Sequence, residues 1–378
     1  MMNTRLRATL TLATSALVVS AVAACGPPES GDKSGTTSSG VKVSAATSAK
    51  DFGGMSALVK AAKKEGKLNV IALPPDWANY GTIISTFEKK YGIKITSAQP
   101  DAASQDEINA ANQQKGKSTA PDVFDLGQSV ALANTSLYAP YKVSTWSTIP
   151  DSFKAGDGAY VNDYGGYMSI GYDSSKVPAV TAVSDLLKSA YKGKVALNGD
   201  PTQAGSAFSA VMMVSLASGG SADDIGPGVD FFKKLKKAGN FLPLDPTPAT
   251  IESGQTPVVF DWDYLNAAET KKLPSWKVIV PSGSPVAGYY YQAISKDAPH
   301  PAAARLWEEF LYSDQGQNLW LAGGARPVRA DAMVKAGTID SSLYDALPKV
   351  EGTAVTPTDD QNTKAAAYLS KNWAKAVG

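Results

Sequence analysis

The chain is nearly devoid of the residues that most protein chemistry uses. A single cysteine, Cys25, cannot build an internal disulfide framework, and together with a single histidine, His300, it excludes Cys/His zinc sites and most Cys–His or Ser–His catalytic arrangements. Neither sign of charge is in surplus. Thirty-six Lys and Arg against 35 Asp and Glu give a net charge of +1, which leaves no basic excess to neutralise a run of phosphates and argues against nucleic-acid binding. The marks of common enzymes are missing as well: there is no G-x-S-x-G elbow, P-loop, H-E-x-x-H or complete dinucleotide fingerprint. The chemistry that remains belongs to carboxylates, aromatics, hydroxyls and backbone. With 43% hydrophobic and 19% charged residues over 378 positions, the chain can bury a core, and its length suits two lobes of ordinary size.

Apolar residues run long only at the start. Residues 1–24 carry Arg5 and Arg7, no acid, and then a stretch that is short for a membrane span of about 20 residues and ends in small side chains, which is the pattern of an export signal. Its end, Val22-Ala23-Ala24-Cys25-Gly26, resembles the bacterial lipobox, in which the cysteine is diacylated and becomes the new N-terminus. Cys25 is therefore expected to be a lipid anchor, made stable by carrying more than one acyl chain. Residues 25–50 are Gly, Ser, Thr, Pro, Lys and Ala with almost no large apolar side chain, a tether expected not to pack and to span roughly 25–30 Å. The expected location is outside the cell membrane, anchored to its outer face, or in a periplasmic space.

From residue 51 onward, strand and helix patterns alternate. Residues 67–73 read as a buried strand, and Tyr80–Tyr91 as a helix with Ile83, Ile84, Phe87 and Tyr91 on one face, closed by Gly92. A strand at 93–96, a capping box in Ser104-Gln105-Asp106-Glu107 and a strand at 122–126 follow. The alternation returns with a strand at 194–197, helices at 206–217 and 229–238, and a strand at 257–261. This predicts parallel sheets with crossover helices in two α/β lobes. Two aromatic segments bounded by glycine, YGGYMSIGYD at 164–173 and GYYYQAIS at 288–295, read as strands that cross between the lobes and form a two-strand hinge. An ordinary aromatic-rich sheet fits the same pattern. The lobes so divided are residues 51–172 with 285–325, and residues 173–284 with 326–378.

Several segments, taken in order, resemble the extracellular solute-binding proteins of bacterial ABC importers. They are Ala120-Pro121-Asp122-Val123, the turn Gly127-Gln128, the GYMSIGYD segment, and Asp314-Gln315-Gly316-Gln317 after the EEFL helix. The resemblance runs over about residues 55–333 and lies with the group that includes spermidine/putrescine, ferric-iron, thiamine and aminoalkylphosphonate receptors. It implies a type II periplasmic-binding-protein fold that closes on a small solute and delivers it to a membrane permease driven by a cytoplasmic ATPase. It implies a receptor without enzyme activity; no cofactor, no metal site and a monomeric body are the expectations that accompany it.

Contacts in such a cleft come from loops at strand ends and helix starts. The loop at 74–80 offers Asp76, Trp77 and Tyr80, with Trp77 alternatively a cap on the core, and the turn after the third strand offers Gln128. After the strand at 257–261, Asp261-Trp262-Asp263-Tyr264 sets two acids around an indole. Burying both is costly without a cation, whereas capping a helix needs only one. Carboxylates at charged ends with aromatic faces along an apolar stem are what an ammonium ligand requires, so a polyamine such as spermidine or putrescine is the first expectation. Tyr167 and Tyr290 are placed in the walls, because alternation sends only some of Tyr289, Tyr290 and Tyr291 inward.

The turn at 198–206, with Asp200 and Ser206, leads from a strand into a helix and presents N–H groups suited to phosphate, although capping by Thr202 or Ser206 explains it equally simply. An aminoalkylphosphonate or other phosphate-type ligand is therefore the second expectation, with thiamine and ferric iron behind it. Trp262-Asp263 stands where the resembled iron receptors carry a Tyr-Tyr pair. His300, in Pro299-His300-Pro301, reads as a surface or capping residue. Two rival classes remain. A secreted hydrolase would have to use Asp261 and Asp263, which are held too close in sequence to flank a bond, and an adhesive surface lipoprotein would bind no small molecule.

Overall fold

The structure is a computed structural model that describes residues 35–283, 285–347 and 350–378. The export signal, Cys25 and the first part of the tether lie outside the described residues.

The first lobe opens with α1 (Met55–Glu65), which buries Leu58 and Ala62 and stops at Gly66 in the left-handed conformation, φ 68. β1 (Lys67–Ile71) leads into α2 (Tyr80–Tyr91), which buries Tyr80, Ile83 and Phe87 on one stripe and ends at Gly92. β2 (Lys94–Ala98) then pairs parallel with β1. α3 (Ser104–Gln113), β3 (Val123–Leu126), α4 (Gln128–Ala133) and β4 (Tyr138–Ala139) complete this pass. β1 meets β3 through a side chain as well as backbone: the Asp122 N–H donates to Asn69 O at 2.9 Å, and Asp122 Oδ2 accepts from Asn69 N at 2.7 Å.

β5 (Val161–Asp173) leaves this lobe for the second, built from β6 (Val195–Leu197), α5 (Gly205–Ala217), α6 (Gly226–Lys237), α7 (Pro248–Glu252), β7 (Val258–Trp262), α8 (Asp263–Glu269) and β8 (Trp276–Ile279). α5 is apolar all round and buried along most of its length, whereas α6 is amphipathic and turns Val229, Phe231, Phe232 and Leu235 inward. β9 (Ala287–Ser295) returns the chain to the first lobe, where α9 (Pro301–Leu311), α10 (Asp314–Ala322), β10 (Arg326–Pro327), α11 (Ala330–Ala336) and α12 (Ser341–Asp345) follow. α13 (Asp359–Val377) packs on α6 of the second lobe and against α4 of the first.

The strand order β3-β9-β5-β7-β6 runs through both lobes. Residues 161–167 of β5 pair antiparallel with β9, and residues 168–172 pair antiparallel with β7, so β5 changes partner between Tyr167 and Met168. There the Met168 N–H donates to Val286 O at 2.9 Å, where the chain crosses back. The architecture is the mixed α/β, two-lobed one with crossing strands at its hinge.

Three expectations need correction. The sheets are mixed: β1 with β2 and β6 with β7 are parallel, but β5 and β9 pair antiparallel because each enters a lobe from the other one. Residues 326–345 were placed with the second lobe, yet they stay on the first. β10 pairs with β5 at Gly165 and Tyr164, and Arg329 Nη1 donates to Tyr312 O at 2.7 Å and Asp314 Oδ1 at 2.9 Å. The packed body also begins before residue 51, since Ala46 and Ala49 are buried. The buried Arg305 guanidinium needs acceptors, and it finds them in Ala46 O at 2.7 Å and Ser44 O at 2.8 Å.

Candidate ligand-binding cleft

A cavity of about 510 Å³ lies between the lobes. The first lobe contributes Asp76 and Trp77 from the loop after β1, Ser104 and Glu107 from the start of α3, and Asp125 from β3. The second contributes Asn198, Gly205 and Ser206 between β6 and α5, Asp261 near the end of β7, and Asn266, Glu269 and Lys272 on and beyond α8. Tyr290 of β9 closes one side. Gly127 and Gly205 bring the two lobes into backbone contact at the cavity edge: a Cβ on Gly127 would lie 2.6 Å from Gly205 Cα.

The lining is acidic. Asp76, Asp101, Glu107, Asp125, Asp245, Asp261 and Glu269 face Lys272, the one basic lining residue among the described residues. Lys272 is already engaged, with Glu252 at 3.1 Å and Glu269 at 3.6 Å.

On the first-lobe wall, Asp125 Oδ2 accepts from Tyr80 OH at 2.6 Å and Tyr164 OH at 3.0 Å, while Tyr164 OH accepts from Trp77 Nε1 at 2.8 Å. Glu107 Oε2 accepts from the Asp125 N–H at 3.0 Å. Asp125 Oδ1 and Glu107 Oε1 have no hydrogen-bond partner among the described residues. Burial pushes both carboxyls well above the ordinary carboxylate range, and the Asp125 charge pushes Glu107 further. Across the cleft Asp261 Oδ1 accepts from the Trp262 N–H at 2.8 Å and Oδ2 from Asn198 Nδ2 at 2.8 Å; burial still lifts this carboxyl to about 7.

An interlocked set of aromatic rings backs the cleft. Trp77 meets Tyr290 edge-on at 5.8 Å and Tyr264 at 6.5 Å. Tyr164 is stacked between Trp320 at 4.2 Å and Tyr290 at 5.4 Å. Such pairs prefer these offset and edge arrangements and hold the loop at 74–80 against β5 and β9.

Among the expected ligand residues, Asp76, Trp77, Ser206, Asp261 and Tyr290 line the cleft, and Tyr80 stands one layer behind, on Asp125. The others do not reach it. Trp262 and Tyr264 are buried and stacked on each other at 6.5 Å, with Trp262 Nε1 donating to Tyr290 OH at 3.3 Å. Asp263 was read as a cation ligand, but its Oδ1 accepts from the Tyr167 N–H at 2.9 Å and its Oδ2 from Arg326 Nη1 at 2.7 Å, so protein groups already satisfy its charge. The Tyr167 ring lies under that same guanidinium, at 4.5 Å.

Asp200 Oδ1 accepts from Thr202 N–H and hydroxyl and so builds a local turn, and Gln128 Nε2 donates to Asp359 Oδ1 of α13 at 3.2 Å. Tyr289 and Tyr291 pack on Phe153 and Tyr160 at 4.6 and 5.1 Å, away from the cleft. His300 is buried, not superficial: its N–H donates to Asp122 Oδ1 at 2.6 Å and its Nδ1 lies 2.8 Å from Asp122 Oδ2.

Sequence reasoning missed Glu107, Asp125, Tyr164, Asn266, Glu269 and Lys272. Glu107 had the place of a capping-box acid, but Ala103 is the N-cap, and Asp106 accepts from the Ala103 N–H at 3.1 Å. That one-residue shift frees Glu107 to turn inward. The signal for Asp125 was present, an acid inside the otherwise apolar run Val123-Phe124-Asp125-Leu126. Among the described residues, no group of three or more His, Cys, Asp or Glu side chains is disposed to hold a metal ion.

Two α/β lobes joined by crossing strands around an interlobe cavity define a type II periplasmic binding protein. The family model for bacterial extracellular solute-binding proteins matches residues 121–346, more than half of the chain, and the chain belongs to that family. It is therefore a transport receptor and not an enzyme. Solved structures share the fold. The periplasmic binding protein AfuA from Actinobacillus pleuropneumoniae, with exogenous fructose-6-phosphate bound, is 17% identical with a TM-score of 0.65, over 82% of this chain and 98% of that one. The ferric binding protein from Campylobacter jejuni is 17% identical with a TM-score of 0.60, over 82% and 99%. A Listeria monocytogenes protein described as a spermidine/putrescine ABC transporter is 13% identical with a TM-score of 0.64, over 82% and 98%. No curated protein sequence matches this chain. No helix among the described residues is long and apolar enough to cross a membrane.

Proposed function

We propose that this chain is the receptor of an ABC importer and captures a small organic cation, first of all a polyamine such as spermidine or putrescine, in the interlobe cleft for delivery to a membrane permease. Lipidation at Cys25 after export would hold the receptor, as a monomer, outside the cell membrane. One observation carries the choice of ligand: seven acids line the cleft against Lys272, and two of them, Glu107 and Asp125, are buried with an oxygen left unpartnered. Such groups are costly unless a cation meets them. Trp77 and Tyr290 offer aromatic faces beside them for an aliphatic stem. The cavity volume falls in the range of small-molecule sites, about 300–1,000 Å³. The Listeria neighbour is described by the same ligand class.

Isothermal titration of the purified mature protein with spermidine, putrescine, fructose-6-phosphate, thiamine and ferric citrate tests the reading. The expected result is saturable binding of a polyamine without turnover. Binding of fructose-6-phosphate with indifference to both amines overturns it.

A second reading has its own support on the second-lobe wall. Gly205 and Ser206 open α5 onto the cleft, and Lys272 stands on the same lobe, so a phosphate-type group has a helix N-terminus and one cation to meet it. An aminoalkylphosphonate would use both walls at once. The AfuA neighbour, with its sugar phosphate, lends support to that end.

A further inference from the structure

We propose that Glu107 and Asp125 accept the ligand's ammonium group in exchange for protons, so that capture at this site releases protons to solvent and tightens as pH rises. This inference rests on the cation reading above and adds the pair that would select a charged amine over neutral solutes of the same size.

The two side chains are 0% and 7% exposed, and the backbone of one binds the carboxylate of the other, through the Asp125 N–H on Glu107 Oε2. Each then keeps one oxygen, Glu107 Oε1 and Asp125 Oδ1, with no partner among the described residues, and both residues line the cleft. The groups that face the pair come from every packed element. They are Tyr80 of α2, Asp106 of α3, Tyr138 of β4, Asp163 and Tyr164 of β5, Asp261 of β7, Tyr264 of α8, Tyr290 and Gln292 of β9, and Tyr312 beyond α9. All are acids, phenols or an amide, and none brings a positive charge. Lys272, the basic lining residue, is engaged by Glu252 and Glu269 on the other lobe.

Two ionised carboxylates in such surroundings would repel each other without the compensation of water, so the empty receptor holds at least one proton on this pair, although the Tyr80 and Tyr164 hydroxyls favour the ionised form of Asp125. Burial raises both groups in that direction. An ammonium group supplies the missing charge together with N–H donors for the two orphaned oxygens. The carboxyl protons then leave for bulk solvent while the amine keeps its own, and no bond other than O–H is broken. A neutral sugar or amide of the same volume offers no charge to offset ionisation and gains nothing from the pair.

The test is isothermal titration of spermidine and putrescine into the full mature protein in buffers of different ionisation enthalpy, between about pH 5.5 and 7.5, where the amines stay charged. The expected result is release of about one to two protons per ligand, with Kd falling about tenfold per pH unit for each proton released. In Glu107→Gln the proton count should drop by about one and the pH slope should flatten accordingly. Circular dichroism checks that this variant is folded, and the variant decides the matter even if Asp125→Asn does not fold. Tight amine binding with no proton release, or a Glu107→Gln count equal to wild type, overturns the exchange and leaves the cation reading standing. Failure of both amines to bind at every pH overturns the cation reading itself and the exchange with it.

Discussion

Asp263 and Arg326 form a 2.7 Å ion pair at the point where the chain passes between the lobes. Asp263 is 1% exposed and also accepts the Tyr167 N–H, from the last residue of β5 that pairs with β9. One carboxylate therefore ties the crossing strand, the start of α8 and β10 together. Space around it is closed, since a Cβ on Gly166 would lie 2.4 Å from Asp263 Oδ1. Replacing this buried carboxylate takes an acceptor away from both the Tyr167 N–H and the Arg326 guanidinium, and breaking a buried pair in this way is strongly destabilising. Asp263→Asn should therefore lower unfolding stability by about 3–5 kcal/mol, read as a reduced urea midpoint. The loss is expected in folding and not in ligand contact, so the folded fraction should still saturate with ligand.

A second prediction concerns the contact between the lobes. A Cβ on Gly205 would lie 2.7 Å from Gly127 Cα, closer than real carbon atoms approach. The two glycines belong to different lobes, so the strain in Gly205→Ala is relieved by holding the lobes apart and not by rearranging α5, whose first turn accepts alanine readily. Overpacking of this kind costs about 1–3 kcal/mol. It should appear as ligand affinity reduced roughly ten- to hundredfold, a larger radius of gyration in X-ray scattering with ligand present, and a nearly unchanged thermal midpoint without it.

The pH dependence of stability follows from carboxyls that burial raises to about 7 or 8, Asp125 and Asp261 in the cleft, Glu308 on α9, and Glu65, whose oxygens accept from the Ala302 and Ala303 N–H groups at the start of α9. Unfolded, such groups titrate near pH 4. Between about pH 4 and 7 the folded protein then binds more protons than the unfolded chain, and stability falls as pH rises through that window. The ligand-free protein should show a higher urea midpoint at pH 5 than at pH 8. Glu65→Gln and Asp261→Asn should each flatten part of that slope. A midpoint that climbs from pH 5 to 8 would contradict the assignment.

The elements that local pattern dictates were legible. α2 has its apolar stripe and terminal Gly92, α9 begins at Pro301, and the crossing strands announce themselves as aromatics bounded by glycine. What could not be read was the disposition of charge. Asp263 looked like a ligand acid because its true partner, Arg326, is 63 residues away and belongs to no local pattern. Gln128 looked like a cleft residue at a strand end, but the helix that claims it, α13, arrives at the far end of the chain. Asp125 is hidden in a strand because the donors that its carboxylate meets, the hydroxyls of Tyr80 and Tyr164, come from two other elements. Burial of an acid is a tertiary property, whereas helix periodicity is a local one.

Trp77 gives the sharpest test of how the aromatic wall and the acids divide the work. Its Nε1–H donates to Tyr164 OH, which in turn donates to Asp125 Oδ2, while its ring lines the cleft and meets Tyr290 edge-on. Trp77→Phe keeps an aromatic face and removes only the donor, so stability should fall by about 1 kcal/mol and polyamine affinity should change little. Trp77→Ala removes the face too, and with it a cation–π contact of about 1–2 kcal/mol, so affinity should fall roughly tenfold or more. Calorimetric titration of the two variants side by side checks this. If phenylalanine loses as much affinity as alanine, the hydrogen-bond chain to Asp125 governs binding and the ring face does not.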